Sequence, residues 1–247
     1  MSTGRILVLG GTAEARELAT GLDAAGVPVT SSLAGRVSRP RLPPGDVRIG
    51  GFGGPGGLAH WLAEHGVVAV VDATHPFAER ISTSAAQACV DAEVPLLRLE
   101  RPGWRERPGD RWHWVEDLGQ AADAIAELGR RVLLTTGRQG LSAFAQVDDA
   151  WFLIRCVDPP DSPLPPHHHV LLDRGPYTSE GELDLIDEHD IDLVVTKDSG
   201  GALTEAKLDA ARRRGLAVIV VRRPLRPDAR AVATVQAALA WARGQAG

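Results

Sequence analysis

The sequence predicts an α/β protein made of two Rossmann-like parallel-sheet domains with the ligand cleft between them. Short β-branched runs alternate with helix-period patterns along the chain, as in parallel sheets covered by helices. Two glycine-bearing strand ends, Gly10–Gly11 and Gly200–Gly201, lie about 190 residues apart, and ligands of such sheets bind at strand ends. We therefore predict an N-terminal domain over residues 1–111 and a C-terminal domain over residues 112–247. One extended sheet is the alternative.

The composition is that of an ordinary globular protein, because 44% hydrophobic and 24% charged residues are enough to bury a core. A formal net charge of −5 and a pI of about 5.9 argue against nucleic acid or an acidic membrane surface as the main partner. We expect a cytoplasmic protein, since neither a membrane-length apolar stretch nor a signal-peptide pattern stands out. Cys89 and Cys156 lie in apolar patterns far apart, which predicts core positions and no metal site.

The first twenty residues predict a strand, a tight turn and a helix. The apolar run Arg5–Leu9 stops at two glycines, and a helical period follows. Unpaired N–H groups and the dipole at a helix start favour a phosphate. The match to the G-x-G-x-x-G fingerprint is partial, and the alternative is a turn that needs glycine only for its dihedral angles. The predicted cofactor contacts are Gly10, Gly11, Thr12, Glu14 and Ala15, where Thr12 adds a hydroxyl and Ala15 allows close packing.

The region after the second predicted strand, Val27–Ser32, bears on the choice of cofactor. An NAD-binding unit places an acidic residue about twenty positions past the glycine turn, and none stands there. Ser31, Ser32 and Arg36 occupy the region, which favours a 2′-phosphate and hence NADP(H). For Arg36 alone, a solvated loop residue is an equal alternative.

A third short strand, Val47–Ile49, leads to the glycine cluster Gly50–Gly57 and a helix. The cluster fits either a flexible linker or a loop where ligand and backbone come close. The next strand, Val67–Asp72, is continuous and β-branched like a central parallel strand. Its carboxyl end is expected beside the first glycine turn. A helix over residues 78–92 and a strand over residues 95–99 complete the first layer.

The segment after Val67–Asp72 contains the catalytic candidates. A lone histidine is usually structural, but His75 stands between threonine and proline at a strand end, where sites concentrate. We predict catalytic roles for His75, Asp72 and Thr74, and further cofactor contacts at Thr74 and Pro76.

The second half repeats the alternation after a connector over residues 100–117 whose tryptophans fit packing better than base stacking. Helices are predicted over 118–128, from the cap Ser179, around Thr204, Lys207 and Ala211, and from about 229 to 242. Strands are predicted over 131–136, 151–157, 170–172, 191–196 and 217–221, and His167–His169 are predicted on the surface because adjacent strand residues face opposite sides.

Two strand ends in this half carry basic residues. Arg138 follows the strand 131–136, and Lys197 follows the strand 191–196 as one of only two lysines among 27 basic residues. Free N–H groups at the expected helix start and a compact ammonium would suit a carboxylate. The alternative is that Lys197 pairs with Asp198. The predicted substrate-binding residues are Arg138, Lys197, Ser199, Gly200 and Gly201.

Four segments in combination resemble the precorrin-6A reductases of cobalamin biosynthesis. They are Leu9–Arg16, Asp72–Ala78, Thr196–Gly201 and Arg222–Pro224, and the second is the most specific. The resemblance spans nearly the whole chain. It implies reduction of precorrin-6A to precorrin-6B by NADPH, with hydride going to C19 and a proton to C18. It also implies a tetrapyrrole polycarboxylate substrate and two Rossmann-like domains. Asp198 departs from the asparagine expected in many relatives.

Other functions remain as alternatives at this point. No Gly-x-Ser-x-Gly elbow, Cys/His pair or metal cluster stands out in the sequence, and hydride chemistry belongs to the cofactor. A glycosyltransferase with two Rossmann-like domains would need a sugar-nucleotide grip in its second domain. A non-enzymatic NADP(H)-sensing protein would lack a macrocycle-sized cleft.

Overall fold

The computed structural model describes residues 4–35 and 41–247. The chain forms two compact units. Unit 1 contains the chain up to Pro102 together with Pro224–Gly247, and unit 2 contains Gly103–Arg223. The predicted boundary at residue 111 therefore lies several residues late, and the last 24 residues belong with the N-terminal unit.

The first part of unit 1 follows the prediction within two residues at each end. It contains β1 (Arg5–Leu9), α1 (Ala13–Ala24), β2 (Val29–Leu33), β3 (Asp46–Ile49), α2 (Pro55–Glu64), β4 (Val67–Asp72), α3 (Glu79–Asp91) and β5 (Leu96–Leu99).

Unit 2 follows with six strands and four helices among its described residues. They are β6 (Trp112–Val115), α4 (Leu118–Asp123), α5 (Ile125–Leu128), β7 (Arg131–Leu134), β8 (Trp151–Cys156), β9 (His168–Leu172), α6 (Ser179–Glu188), β10 (Leu193–Lys197), α7 (Ala206–Arg214) and β11 (Ala217–Val221).

Three predictions in unit 2 need correction. The predicted helix 118–128 is two short helices. The cap of α6 is Thr178 rather than Ser179, since the Thr178 hydroxyl accepts a hydrogen bond from Gly181 N at 3.1 Å. The expected helix start after Gly201 is a 3₁₀ turn, Ala202–Thr204, and α7 begins only at Ala206.

The C-terminal segment returns to unit 1 as β12 (Arg230–Val232) and α8 (Val235–Ala246). The predicted helix start near residue 229 was wrong, because Arg230–Val232 pairs in parallel with Leu97–Leu99. Thr234 then caps α8 by accepting a hydrogen bond from Ala237 N at 3.2 Å. Helix α8 packs against α1, and this apolar burial explains why the segment belongs to unit 1.

Within residues 4–35 and 41–247, each unit has one six-stranded, fully parallel sheet. The orders are β3-β2-β1-β4-β5-β12 and β9-β8-β7-β10-β11-β6. Both reproduce the spatial 3-2-1-4-5-6 pattern of dinucleotide-binding folds. The sixth place is filled in unit 1 by β12, which follows unit 2 in the chain, and in unit 2 by β6, which precedes β7 in the chain. The order reverses between β1 and β4 in unit 1 and between β7 and β10 in unit 2. Ligands of such sheets bind outside the strand ends at these reversals.

Helices cover both faces of the first sheet. Ile6 and Val8 pack with α1 and α8 in one apolar cluster, while Leu7 and Leu9 pack with α2 and α3 in the other. This is the alternation that a strand buried on both faces requires. Cys89 and Cys156 are buried, as predicted. No helix among the described residues is long and apolar enough to cross a membrane.

Candidate active site

The turn after β1 is fixed by the neighbouring strand β2. Gly10 N donates a hydrogen bond to Ser32 O at 2.9 Å. Gly11 has a φ of +113°, a region that side chains disfavour. A Cβ on Gly10 would make only ordinary contact, with its closest neighbour on Leu33 at 3.4 Å. The need for glycine therefore comes from the dihedral angles of Gly11, and the turn delivers the start of α1 to the switch point.

Thr12 caps α1, and its hydroxyl is engaged within the fold. It accepts a hydrogen bond from Ala15 N at 3.1 Å and donates its proton to Ala73 O at 2.8 Å. A phosphate oxygen needs donors, so the backbone N–H groups of the turn are the donors that suit it. The Thr12 hydroxyl instead joins the turn after β1 to the loop after β4.

Glu14 forms an ion pair with Arg101, with Oε2 and Nη1 2.8 Å apart. Both side chains border a small cavity of about 10 Å³, which is room for about one water molecule. The other walls come from both switch-point strand ends and from the end of β5: Thr12, Ala73, Thr74, Pro76, Leu99 and Glu100. A wider hollow of about 540 Å³ lies beside the ends of α1 and α8, but its lining offers only one charged side chain, Arg243.

The residues predicted to select NADP(H) lie on and after β2. Ser31 is buried, and its Oγ has no hydrogen-bond partner among the described residues. Ser32 is also buried, and its carbonyl holds Gly10. Arg36 lies outside the described residues. The two serine side chains therefore face the protein interior rather than solvent.

The glycine cluster after β3 forms a turn that is held by hydrogen bonds and packing. Arg48 donates hydrogen bonds to the carbonyls of Gly50 and Gly51 at 2.6 and 2.7 Å and stacks over the Phe52 ring. A Cβ on Gly57 would lie 1.9 Å from Phe52 O. Glycine at 57 is thus required by packing, which favours an ordered loop over a linker.

Asp72, at the end of β4, is the centre of a buried polar network. Its Oδ1 accepts hydrogen bonds from Thr74 N at 3.1 Å and Thr74 Oγ1 at 2.6 Å. Its Oδ2 lies 3.0 Å from Nη2 of Arg226, which also donates to Thr74 Oγ1 at 3.0 Å and contacts Ser82 Oγ. Both members of the Asp72–Arg226 pair are almost fully buried. Asp72 and Thr74 therefore shape the loop rather than offer a free acid.

His75, in the same loop, is half-buried. Its Nδ1 accepts a hydrogen bond from Phe77 N at 3.2 Å, so the neutral ring carries its proton on Nε2. A second proton on Nδ1 would point at the Phe77 N–H group. This geometry leaves Nε2 of the neutral ring as a hydrogen-bond donor.

Asp198 comes directly after β10, as Asp72 stands at the end of β4. Its Oδ1 accepts a hydrogen bond from Trp104 N at 3.0 Å, and its Oδ2 lies 3.2 Å from Nε of Arg223. A Cβ on Gly103 would lie 2.5 Å from Oδ2. The carboxylate is thus compensated by Arg223 and closely packed.

Lys197 is the last residue of β10, and Arg138 lies in the loop after β7, so both flank the switch point of unit 2. Nζ of Lys197 lies 3.4 Å from the carbonyl of Gln139, next to Arg138. Burial lowers the pKa of Lys197. Ser199 Oγ lies 3.2 Å from Thr204 Oγ1, and Gly200 and Gly201 have positive φ values. The predicted substrate residues therefore share one strand-end region, but without a helix start directly behind Gly201.

Trp104 and Lys207 hold this loop from inside. Trp104 Nε1 donates to Gly201 O at 3.3 Å, and Nζ of the buried Lys207 donates to Thr204 O at 2.5 Å while lying over the Trp104 ring. Burial, reinforced by the charge of Arg155 and opposed by that of Glu182, lowers the pKa of Lys207 to about 7. Lys207 is a buried support of the loop.

Comparison with known proteins agrees with this arrangement. A family model described as precorrin-6x reductase CbiJ/CobK matches residues 5–243. The chain belongs to the precorrin-6x reductase family. The precorrin-6A reductase of Rhodococcus erythropolis is 55% identical over 96% of this chain and 96% of its own. The cobalt-precorrin-6A reductase of Priestia megaterium is 30% identical over 89% of this chain and 90% of its own.

A solved structure has the same architecture. The CobK precorrin-6A reductase matches with a TM-score of 0.92 and 43% identity, covering 98% of this chain and 97% of that chain. The two Rossmann-like parallel sheets are therefore those of the precorrin-6x reductase family, and the chain is a reductase by family.

The sequence did not indicate the contacts that Arg226, Arg101 and Trp104 make near the strand ends. Arg226 and Arg101 are arginines in an arginine-biased chain, and nothing local sets them apart from surface residues. Trp104 was assigned to packing, which its place against the apolar cluster of unit 2 bears out, but its hydrogen bond to the loop after β10 has no local sequence signal.

Proposed function

We propose that the chain reduces precorrin-6A to precorrin-6B with NADPH, delivering hydride to C19 and a proton to C18. The single observation that carries this proposal is the match of the family model over nearly the whole chain, on a fold whose two switch points differ in chemistry. The family match favours this reaction over the glycosyltransferase and the NADP(H)-sensing alternatives.

We assign the cofactor to unit 1. The N–H groups of Gly11, Thr12 and Ala13 at the start of α1 would hold the pyrophosphate, since they combine free donors with a favourable dipole. Bound NADPH would supply the hydride. Preference for NADPH over NADH is supported by the lack of an acid after β2 and by Arg36. Arg36→Ala is expected to weaken NADPH far more than NADH, and equal losses would argue against this role.

His75 would act at the nicotinamide end of the site, because its loop is joined through Ala73 and Thr12 to the start of α1. Donation from Nε2 would orient a carbonyl or carboxylate without releasing a proton. His75→Gln keeps a donor, so we expect it to retain NADPH binding. If this variant loses turnover completely, His75 is the proton donor after all.

The substrate is assigned to unit 2. Precorrin-6A is a large polycarboxylate, and carboxylates are bound by positive side chains. Arg138 and Lys197 supply two such charges at the switch point between β7 and β10, with Ser199, Gly200 and Gly201 adjacent. The proposed substrate is metal-free, since the relative named for precorrin-6A is 55% identical and the relative named for cobalt-precorrin-6A is 30% identical.

The reaction can be tested by ultraviolet-visible spectroscopy. Purified protein is mixed with NADPH and either precorrin-6A or cobalt-precorrin-6A, and both macrocycle and NADPH absorbance are followed. We expect equimolar consumption of NADPH and precorrin-6A and slower turnover of the cobalt form. NADPH binding without consumption would contradict the enzymatic assignment, and faster turnover of the cobalt form would reverse the substrate assignment.

A further inference from the structure

We propose that Arg226 is a positioning residue for the loop over residues 73–78, which contains His75 and is called the His75 loop. Arg226 lies in residues 224–229, called the return segment, where the chain comes back from unit 2 to unit 1. This inference rests on the proposed function, because the loop matters only if it borders the reacting cofactor and substrate. Arg226 lies 151 positions after His75 in the chain. No local motif joins the two.

The contacts of Arg226 define its role. One nitrogen, Nη2, reaches three side chains of the β4–α3 region: Asp72 Oδ2 and Thr74 Oγ1 at 3.0 Å each, and Ser82 Oγ. A second nitrogen, Nη1, lies 3.7 Å from Glu100 Oε2. The guanidinium thus spans the end of β4, the start of α3 and the end of β5.

These contacts lead directly to His75. Arg226 holds Asp72, and Asp72 Oδ1 holds both the N–H and the hydroxyl of Thr74, the residue before His75. Thr12 holds the carbonyl of Ala73 from the other side. The backbone before His75 is therefore fixed at Ala73 by Thr12 and at Thr74 by Asp72. Arg226 compensates the negative charge of the Asp72 carboxylate.

The return segment is itself held in place. Arg98 donates a hydrogen bond to Pro227 O at 2.5 Å, and Arg230–Val232 continues into the sheet beside β5. Prolines at 224 and 227 restrict the backbone on both sides of Arg226. Arg226 therefore enters the network from a rigid support, as a positioning residue requires.

The geometry of the guanidinium is not what stability alone would select. Nε and Nη1 of Arg226 are buried and have no hydrogen-bond acceptor among the described residues, and unsatisfied buried donors are costly. Buried ion pairs can often be replaced by apolar residues without loss of stability. Attachment of the His75 loop is a role that accounts for a buried ion pair with unsatisfied donors at this place.

The test compares a single and a double variant. Arg226→Gln leaves Asp72 as a buried, uncompensated charge, so this variant can lose stability for that reason alone. The double variant Asp72→Asn/Arg226→Gln removes both charges and is the informative one. We measure its melting temperature, its NADPH affinity, and kcat and KM with precorrin-6A.

The positioning role predicts that the double variant regains a melting temperature near that of the wild type, while kcat stays reduced by about 100-fold, as for a small misplacement of a reacting group. NADPH affinity is expected to change by less than threefold. Arg226→Lys, which keeps the charge but not the fork of donors, is expected to restore stability and only part of kcat. Recovery of kcat together with stability in the double variant would overturn the proposal.

A matched control separates local from general effects. Asp110→Asn/Arg212→Gln removes another ion pair that joins distant segments, with Nε and Oδ1 2.8 Å apart. We expect kcat within twofold of the wild type for this control. If the wild-type protein neither binds NADPH nor consumes precorrin-6A, the proposed function fails. If the wild type is active and the Asp72/Arg226 variant is equally active, only the positioning role fails.

Discussion

The end of β4 in unit 1 and the end of β10 in unit 2 are equivalent places in two sheets of the same order, yet they are built differently. Each has an aspartate held by an arginine from the chain between β11 and β12. In unit 1 the pair Asp72–Arg226 is almost fully buried, whereas Asp198–Arg223 is partly accessible. A shared topology has thus produced a closed polar network in one unit and a more open one in the other.

The residues around the two aspartates also differ between the units. In unit 1 the side chains near the switch point are bound to one another, and the start of α1 presents backbone N–H groups. In unit 2 a 3₁₀ turn separates β10 from α7, and the cationic side chains Lys197 and Arg138 flank the strand ends. Backbone donors suit a pyrophosphate, and side-chain charges suit a polycarboxylate.

The largest expected difference between the two regions concerns stability. Arg226→Ala is expected to lower the free energy of unfolding by about 3 to 5 kcal/mol, because a fully buried carboxylate loses its partner. Arg223→Ala is expected to cost about 1 kcal/mol, since water can reach Asp198 and Trp104 N still binds it. Urea unfolding of both variants measures this. Equal losses would mean that the two networks are energetically equivalent.

A smaller effect is expected on ligand binding in unit 2. Lys197→Ala should weaken precorrin-6A binding by about 1 to 3 kcal/mol, the range for a hydrogen bond to a charged group, and leave NADPH binding nearly unchanged. Arg213→Ala, an exposed arginine of the same unit, is the control and should change neither. Titration calorimetry with each ligand decides the point. A fall in NADPH affinity would reverse the assignment of ligands to units.

A pH dependence of the free energy of unfolding is also expected, and it belongs to unit 2. The pKa of Lys207 is about 7 in the folded chain, against an ordinary value of 10.5. Between these values the unfolded chain binds more protons, so the free energy of unfolding should rise with pH from about 7 to about 10.5. Below pH 7 the cost of burying the ammonium is fully present. Lys207→Met should flatten this slope, and an unchanged slope would assign it to other groups.

Much of this arrangement follows from local sequence signals. The runs of β-branched residues in β4 and β11 and the glycines after β1 indicate strand ends without any tertiary information. The place of β12 in the sheet of unit 1 does not, because Arg230–Val232 is only three residues long and its pairing with Leu97–Leu99 spans more than 130 positions. The helical pattern that follows it therefore led to one long helix in the prediction.

The side-chain network around Asp72 could not be predicted from the sequence either. The prediction correctly placed Asp72, Thr74 and His75 at one strand end. The sequence does not show which of their side chains have hydrogen-bond partners within the fold. Only the three-dimensional structure shows that Asp72 is bound to Arg226 and that Nδ1 of His75 accepts a hydrogen bond from Phe77 N. Long-range contacts of single arginines leave no periodic pattern, so their roles could not be predicted.

The two ligands are proposed to bind different units, the cofactor unit 1 and the macrocycle unit 2. Amide hydrogen exchange measured separately with saturating NADPH and with precorrin-6A tests this assignment most directly. We predict that NADPH slows exchange at residues 11–15 and 73–77, and that precorrin-6A slows exchange at residues 136–140 and 197–204. Protection by NADPH at residues 197–204, without protection at residues 11–15, would contradict the account.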